Sequence, residues 1–220
     1  MCIRDRYIGV FQSEEELAKY PHLSGDKVGD GRYEDVNKDG VLDQNDKTIL
    51  GDNNPLFTAG FSNSFSYKNF TLDIQFTGSY GAEVFSFYKR MCGIYHGDRN
   101  GMIEQLGRWQ SKDQPGDGIH FRPTRTPSGW QRDPSSAWVQ DASYLRLRNL
   151  TLGYNFDQKV LDKMKMKGLR LYVTGQNLFT ITNYVGYDPE TSSESGLAQG
   201  GDYLGYPAAR SFIIGANITF

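Results

Sequence analysis

The chain has 220 residues, and its 24 basic and 26 acidic side chains give a net charge of -2, which argues against nucleic acid as the main partner. Mean hydropathy is -0.58, and no apolar run approaches the roughly 18 residues of a transmembrane helix. A helical membrane protein is thereby excluded; a β-barrel, whose lumen-facing residues dilute the hydropathy, is not.

Met1–Arg6 lacks the apolar stretch of a signal peptide and matches nothing that follows. It reads as a non-native scar, which would make the sequence a piece without its natural N-terminal part. Tyr7–Phe11 is a short apolar stub that suits the end of a strand. Ser13 then precedes three glutamates, the pattern of a helix N-cap with acids in the first turn, and Pro21 stops that helix. A Gly/Asp-rich segment follows to Arg32. Cys2 and Cys92 match no metal or redox spacing and read as unpaired thiols.

Residues 35–46 read DVNKDGVLDQND. Asp35, Asn37, Asp39, Asp43 and Asp46 fall at positions 1, 3, 5, 9 and 12 of a calcium-loop pattern, with Gly40 at the sharp turn and the Val41 carbonyl at position 7. Calcium needs six to eight hard oxygen ligands, and this spacing can converge them. The pattern expects a bidentate Glu where Asp46 stands, so the expected affinity is weak to moderate. The ion would be structural. An ion-free Asx turn would use the same residues.

Residues 57–80 carry two alternating runs. Phe57, Ala59, Phe61, Asn63, Phe65 and Tyr67 share one face; Phe70, Leu72, Ile74, Phe76, Gly78 and Tyr80 share the next. Only Lys68 and Asn69 separate them, as in a tight hairpin. Each run is the length of a tilted membrane strand with aromatic ends, yet a soluble sheet would show the same alternation.

Residues 81–143 form a long connection with an apolar patch at Val84–Tyr88 and a helix near Met102–Trp109. Trp109, Trp130 and Trp138 lie here and could stack on a ligand ring or pack the loop on itself; His96 and His120 read as surface residues. From Tyr144 the pattern alternates again. Tyr144, Arg146, Arg148, Leu150, Leu152, Tyr154 and Phe156 oppose Leu145, Leu147, Asn149, Thr151, Gly153 and Asn155. That strand would begin in a polar zone and then enter an apolar one. Asp157–Lys167 is an amphipathic connector, and Leu169–Thr180 is the next strand, completing a hairpin over 144–180. Residues 181–210 form a second Gly/Tyr/Asp-rich loop, with Tyr184, Tyr187, Tyr203 and Tyr206 as possible ligand contacts. Phe212, Ile214, Ala216, Ile218 and Phe220 alternate to the end, over 211–220. A closing aromatic of this kind favours a membrane barrel. Tracing back from Phe220 puts every long connection (12–56, 81–143, 181–210) on one side and every short one on the other, the asymmetry of outer-membrane barrels.

The residues resemble the SusC/RagA family of TonB-linked outer-membrane proteins of Bacteroidota. The resemblance rests on the calcium-type loop with Asn54–Phe57, Gly60–Asn63, Phe76–Gly81, Ala142–Tyr154, Leu169–Leu178, Gly186–Glu190 and the closing strand. It implies an all-β fold: an antiparallel up-and-down transmembrane β-barrel of about 22 strands, of which residues 7–220 would supply about six at the C-terminal end. It also implies residence in the cell outer membrane, import of glycans or oligopeptides, a SusD-like lipoprotein partner, contact with lipid, and TonB engagement through the missing part. Trp109, Trp130, Trp138, Tyr187 and Tyr203 are the candidate cargo contacts. No enzymatic group is expected. The competing expectation is a secreted calcium-dependent carbohydrate-binding β-sandwich.

Overall fold

The computed structural model describes residues 2–93, 100–123, 134–190 and 200–220. The chain divides into two compact units.

The first unit gathers described residues of 1–53, 83–140 and 191–205. It begins with β1 (Cys2–Arg4), β2 (Tyr7–Val10), helix α1 (Glu14–Lys19), β3 (Gly31–Tyr33) and β4 (Thr48–Gly51). Ser13 caps α1, its side chain accepting the Glu16 N–H, as the sequence suggests. Two differences from the sequence reading stand out. The apolar stub Tyr7–Val10 pairs with β3 in a sheet of its own, so it adds no strand to the large sheet described below. Residues set aside as a scar also take part in structure: β1 pairs antiparallel with β4, and Asp5 is buried in a parallel bridge to Ser135.

This unit has a small aromatic core of Val10, Phe85, Phe121 and Trp138, with Tyr7, Trp109 and Val139 packed against it. Gly29, at φ 89°, lies under the Trp109 ring, where a β-carbon would be 2.5 Å from the indole. Only glycine combines that φ with so close an approach. Beside it, Asp30 is 2% exposed and takes a two-pronged ion pair from Arg122 at 2.7 and 3.1 Å.

The second unit holds Asn54–Ala82, Asp141–Glu190 and Tyr206–Phe220. Its long strands are β5 (Phe57–Tyr67) and β6 (Phe70–Tyr80), then, past β7 (Glu83–Ser86), helix α2 (Phe87–Gly93) and β8 (Val139–Asp141) in chain order, β9 (Tyr144–Asn155). Helix α3 (Gln158–Met164) occupies the expected amphipathic connector, β10 (Gly168–Thr182) follows, and β12 (Ser211–Thr219) comes after the two-residue β11 (Gly201–Asp202). The five long strands form one antiparallel sheet in the order β12-β10-β9-β6-β5. Lys68 takes φ 52° in the two-residue hairpin turn.

Register decides which residues share a face. Phe61 opposes Phe76 and Phe65 opposes Leu72; Leu72 opposes Leu152, which opposes Val173, which opposes Ile214. One face is therefore apolar across all five strands. The simple alternation expected for β9 fails at Arg148. Asn149 pairs with Gln75, but the next pair is Leu147 with Phe76, leaving Arg148 as an extra residue. This bulge moves Leu145 and Leu147 onto the apolar face with Leu150 and Leu152, and turns Tyr144 and Arg146 to the polar one. β10 answers with its own irregularity between Gln176 and Phe179, where Asn177 sits at φ 51°.

Core burial makes an unequal prediction. Trp138→Ala should cost about 3–5 kcal/mol through the cavity it leaves, whereas Ile103→Ala, at a residue 82% exposed, should stay within about 0.5 kcal/mol. Urea unfolding of each variant in detergent micelles measures the difference.

Candidate functional site

The large sheet reverses the usual arrangement of a globular protein. Its apolar face is the exposed one: Phe61 is 57% exposed, Ile181 62% and Ile214 83%. Its opposite face is polar and cross-linked. Ser64 donates to Asp73 at 2.6 Å, Arg170 donates to Thr71 at 3.1 Å, and the Thr151 and Thr174 hydroxyls meet at 2.8 Å. Asn149 donates to Thr151 and Arg148 to Thr77, each at 3.1 Å. Asn149 and Thr151 are neighbours along β9; the other pairs cross between strands and contribute roughly 0.2–1 kcal/mol each.

Aromatic rings mark both ends of the apolar face. Phe57 stacks on Tyr80 at 5.5 Å, while Phe70 meets Tyr154 edge-on at 4.9 Å. From Phe57 to Tyr67 the strand advances about 33 Å at roughly 3.3 Å per residue. Tilted by about 40°, that projects to about 25 Å, the height of the apolar band on outer-membrane barrels.

At the Tyr144 end of β9, an ion cluster ties a loop to the sheet. The Arg146 side chain is 4% exposed. It donates to Thr180 at 2.9 Å, to Glu190 at 2.8 Å and to Asp188 at 2.5 Å. Arg148 also donates to Glu190, as does the Tyr144 hydroxyl at 3.0 Å. Asp188 accepts the Ala208 N–H at 3.1 Å, and Asn177 donates to the Ala209 carbonyl at 3.1 Å. Both arms of the 183–210 connection are thus fixed at its root. Burial opposes ionisation of Asp188, but hydrogen bonds from Arg146 and from the Ala208 and Glu190 N–H groups outweigh it, holding the carboxyl below its usual range. Sequence reading did not single out these four charged side chains as a set. The available signal was a pair of arginines on an otherwise apolar strand, answered by two acids in a Gly-Tyr-Asp-Pro-Glu run.

The calcium-type loop belongs to the first unit. Asp35 accepts the Asp39 and Gly40 N–H groups at 3.2 and 2.8 Å, and Asp39 accepts that of Val41 at 2.9 Å. Gly40 turns the chain at φ 86°. Asp43 accepts the Asn45 N–H at 2.7 Å and caps a short 3-10 turn, Gln44–Asp46. Asp46 is 1% exposed, and its two oxygens accept N–H groups of Val36 and Asp43, each at 2.9 Å. Asp46 therefore braces the loop from inside. Among the described residues no three Asp, Glu, His or Cys side chains converge closely enough to hold a metal ion. An ion would have to draw Asp35, Asn37, Asp39 and Asp43 together around the Val41 carbonyl.

The candidate cargo contacts fare unequally. Trp138, at 4% exposure, is part of the core and packs against Phe121 at 6.0 Å, in keeping with the loop-packing alternative that the sequence left open. Trp109 is half-buried over Gly29. Trp130, like His96, lies outside the described residues. Tyr187 is 63% exposed and Tyr203 57%; Tyr203 stacks on Phe87 at 4.1 Å. His120 is less open than expected, 19% exposed and paired with Asp117 at 2.5 Å.

No protein-family model matches the chain. The chain is 34% identical, over 97% of its length, to TonB-dependent receptor P3 of Formosa agariphila, of which the match covers 21%. It is 28% identical, over 86% of its length, to TonB-dependent receptor SusC of Bacteroides thetaiotaomicron, of which the match covers 17%. Among solved structures, the RagAB peptide transporter superposes with a TM-score of 0.75 at 21% identity, covering 99% of this chain and 22% of that one. At that identity the superposition speaks for the fold alone. The sheet and the relatives together define the class: a TonB-dependent receptor. Within it the chain belongs to the SusC/RagA family, spanning about a fifth of the length of the relatives it matches.

The ion cluster predicts a pH signature. Arg146 keeps Glu190 and Thr180 when Asp188 is neutralised, so Asp188→Asn removes one charge-assisted bond and should destabilise the sheet unit by about 1.5–3 kcal/mol at pH 7. The Asp188 carboxyl is depressed, so its contribution is complete above the ordinary carboxylate value of about 3.9 and is lost as pH falls through the lowered one. The gap in urea midpoint between wild type and Asp188→Asn should close as the pH is taken below about 4.

Proposed function

We propose that the chain forms part of the wall of an outer-membrane transporter, with the apolar face of the five-stranded sheet against lipid and the polar face toward the lumen. The observation that carries this reading is the exposed apolar face bounded by aromatic rings. In lipid, Phe61, Phe65, Leu72, Ile74 and Phe76 gain the apolar surroundings that water denies them. Lumen-facing Ser62, Ser64, Asp73, Gln75 and Thr77 stay hydrated. The five strands stand at the C-terminal end of a larger barrel. β5 and β12 each pair on one side only among the described residues, and further strands of that barrel would satisfy their open edges. The soluble sandwich is less favoured, because its apolar face would be packed against a second sheet.

In this reading the long connections face outward beneath a SusD-like lipoprotein, and energy reaches the barrel from TonB through a part beyond this chain. The cargo is a glycan or an oligopeptide, with exposed Tyr187 and Tyr203 as contacts. The named relatives are receptors, which supports a transport role without covalent chemistry. The loop at 35–46 takes up calcium as a structural ion through Asp35, Asn37, Asp39, Asp43 and the Val41 carbonyl, with Asp46 bracing from within.

Two measurements test these statements. Expressed without detergent, the chain should aggregate, and detergent should recover a folded species; a soluble, cooperatively folding monomer in plain buffer would overturn the barrel reading. Calcium titration by calorimetry should give a dissociation constant of about 10⁻⁴–10⁻³ M, abolished in the double variant Asp35→Ala, Asp39→Ala. Equal heats in both chains, or none in either, would remove the ion.

A further inference from the structure

The connector between β9 and β10 carries a charge pattern that lipid contact of the strands alone does not explain. Residues 157–167 hold four lysines, Lys159, Lys163, Lys165 and Lys167, against two aspartates. All four lysines are exposed, and none forms an ion pair among the described residues. Both aspartates have polar partners: Asp157 accepts from Asn69 at 2.7 Å and Asp162 from Gln158 at 2.8 Å. The bond from Asn69 also ties the connector to the β5–β6 turn, as does the Asn155 N–H donating to the Asn69 carbonyl at 2.8 Å. That turn adds Lys68, again exposed and without an ion pair among the described residues. Unpaired ammonium groups therefore line one end of the sheet.

Helix α3 sets two of these charges beside an exposed apolar strip. Successive helix residues are about 100° apart, so Leu161, Met164 and Val160 form one arc. Lys163 and Lys159 border it on one side, Gln158 and Asp162 on the other. Leu161 is buried and anchors the helix. From Leu161 the arc runs outward over Met164 and Val160, 46% and 39% exposed, until it meets the lysines. An apolar arc edged by lysines suits a helix lying at a membrane surface.

Position points the same way. The connector leaves the sheet where aromatic rings mark one end of the apolar face: Tyr154 meets Phe70 at 4.9 Å and Phe156 at 5.1 Å. At that end the Lys68 ammonium lies 5.4 Å from the centre of the Tyr67 ring. Lysines at such a boundary keep their stems on apolar surface and their charged heads in the polar layer.

We propose that this rim docks on anionic phospholipid headgroups. Val160 and Met164 enter the edge of the acyl layer, and Lys68, Lys159, Lys163, Lys165 and Lys167 donate to lipid phosphates. The inference rests on the apolar sheet face lying against lipid, because that contact holds the rim at headgroup level.

The test uses the full chain, folded in detergent and moved into nanodiscs of equal phosphatidylcholine and phosphatidylglycerol. Native mass spectrometry reads the lipids it retains. Retention should favour phosphatidylglycerol by about fivefold, the equivalent of about 1 kcal/mol for one lysine at an anionic surface. The preference should fall toward unity in the double variant Lys159→Gln, Lys163→Gln. It should persist in Lys38→Gln, an exposed site in the first unit. Both variants should enter the discs as the wild type does. Acetylation of Lys159 and Lys163 should also be several-fold slower in these discs than in discs of phosphatidylcholine alone. Equal retention of the two lipids, a preference unchanged in the double variant or lost in Lys38→Gln, or equal acetylation in both discs overturns the rim and leaves the wall reading standing. A chain that does not enter the discs overturns the wall reading, and the rim with it.

Discussion

The second unit depends on one constraint: every apolar side chain of five strands must reach the same face. A strand has a strict period of two, so a single added residue sends all that follows to the wrong side. In β9 the leucines before Arg148 and those after it are out of phase with one another. The bulge at Arg148 restores the phase at the cost of one ladder position. Without it, Leu145 and Leu147 would face the polar side while Arg146 and Tyr144 faced the apolar one.

The same bulge prepares the ion cluster. It turns Arg146 and Arg148 toward Thr180 and Thr77 on the polar face, where Asp188 and Glu190 meet them. A buried guanidinium is tolerable only when its donors are satisfied, and three acceptors surround Arg146. Backbone geometry, charge pairing and loop anchoring are thus coupled. Asp188 bonds at once to Arg146, Ala208 and Glu190, so the strand and both arms of the connection meet at one carboxylate.

The first unit is held by different means. Its core is small and aromatic, and much of its remaining order comes from short-range carboxylate-to-backbone bonds. Asp46, Asp30 and Asp117 each accept a backbone N–H within their own turns, and Asp46 also accepts that of Val36, ten residues upstream. For Asp117, bonds from the His120 and Ile119 N–H groups and the His120 ring overcome the opposing effect of burial and lower its pKa. Such turns form locally with few long-range contacts, which suits connections that carry little secondary structure.

By itself the sequence determined the strand faces over 57–80, 169–176 and 212–218, the Ser13 helix cap, the tight turn at Lys68, and the family resemblance. These are legible because they rest on local periodicity and local hydrogen bonding, which neighbouring residues encode. Tertiary structure alone decided the rest. The bulge in β9 exists because β6 and β10 impose their register on it, although the phase slip between Leu147 and Leu150 was visible as a clue. The burial of Trp138 follows from residues distant in sequence, Val10, Phe85 and Phe121, which no spacing rule connects. The pairing of Arg146 with Asp188, 42 residues away, likewise required the chain to fold back on itself. Periodicity specifies which face a residue takes; only packing specifies what that face meets.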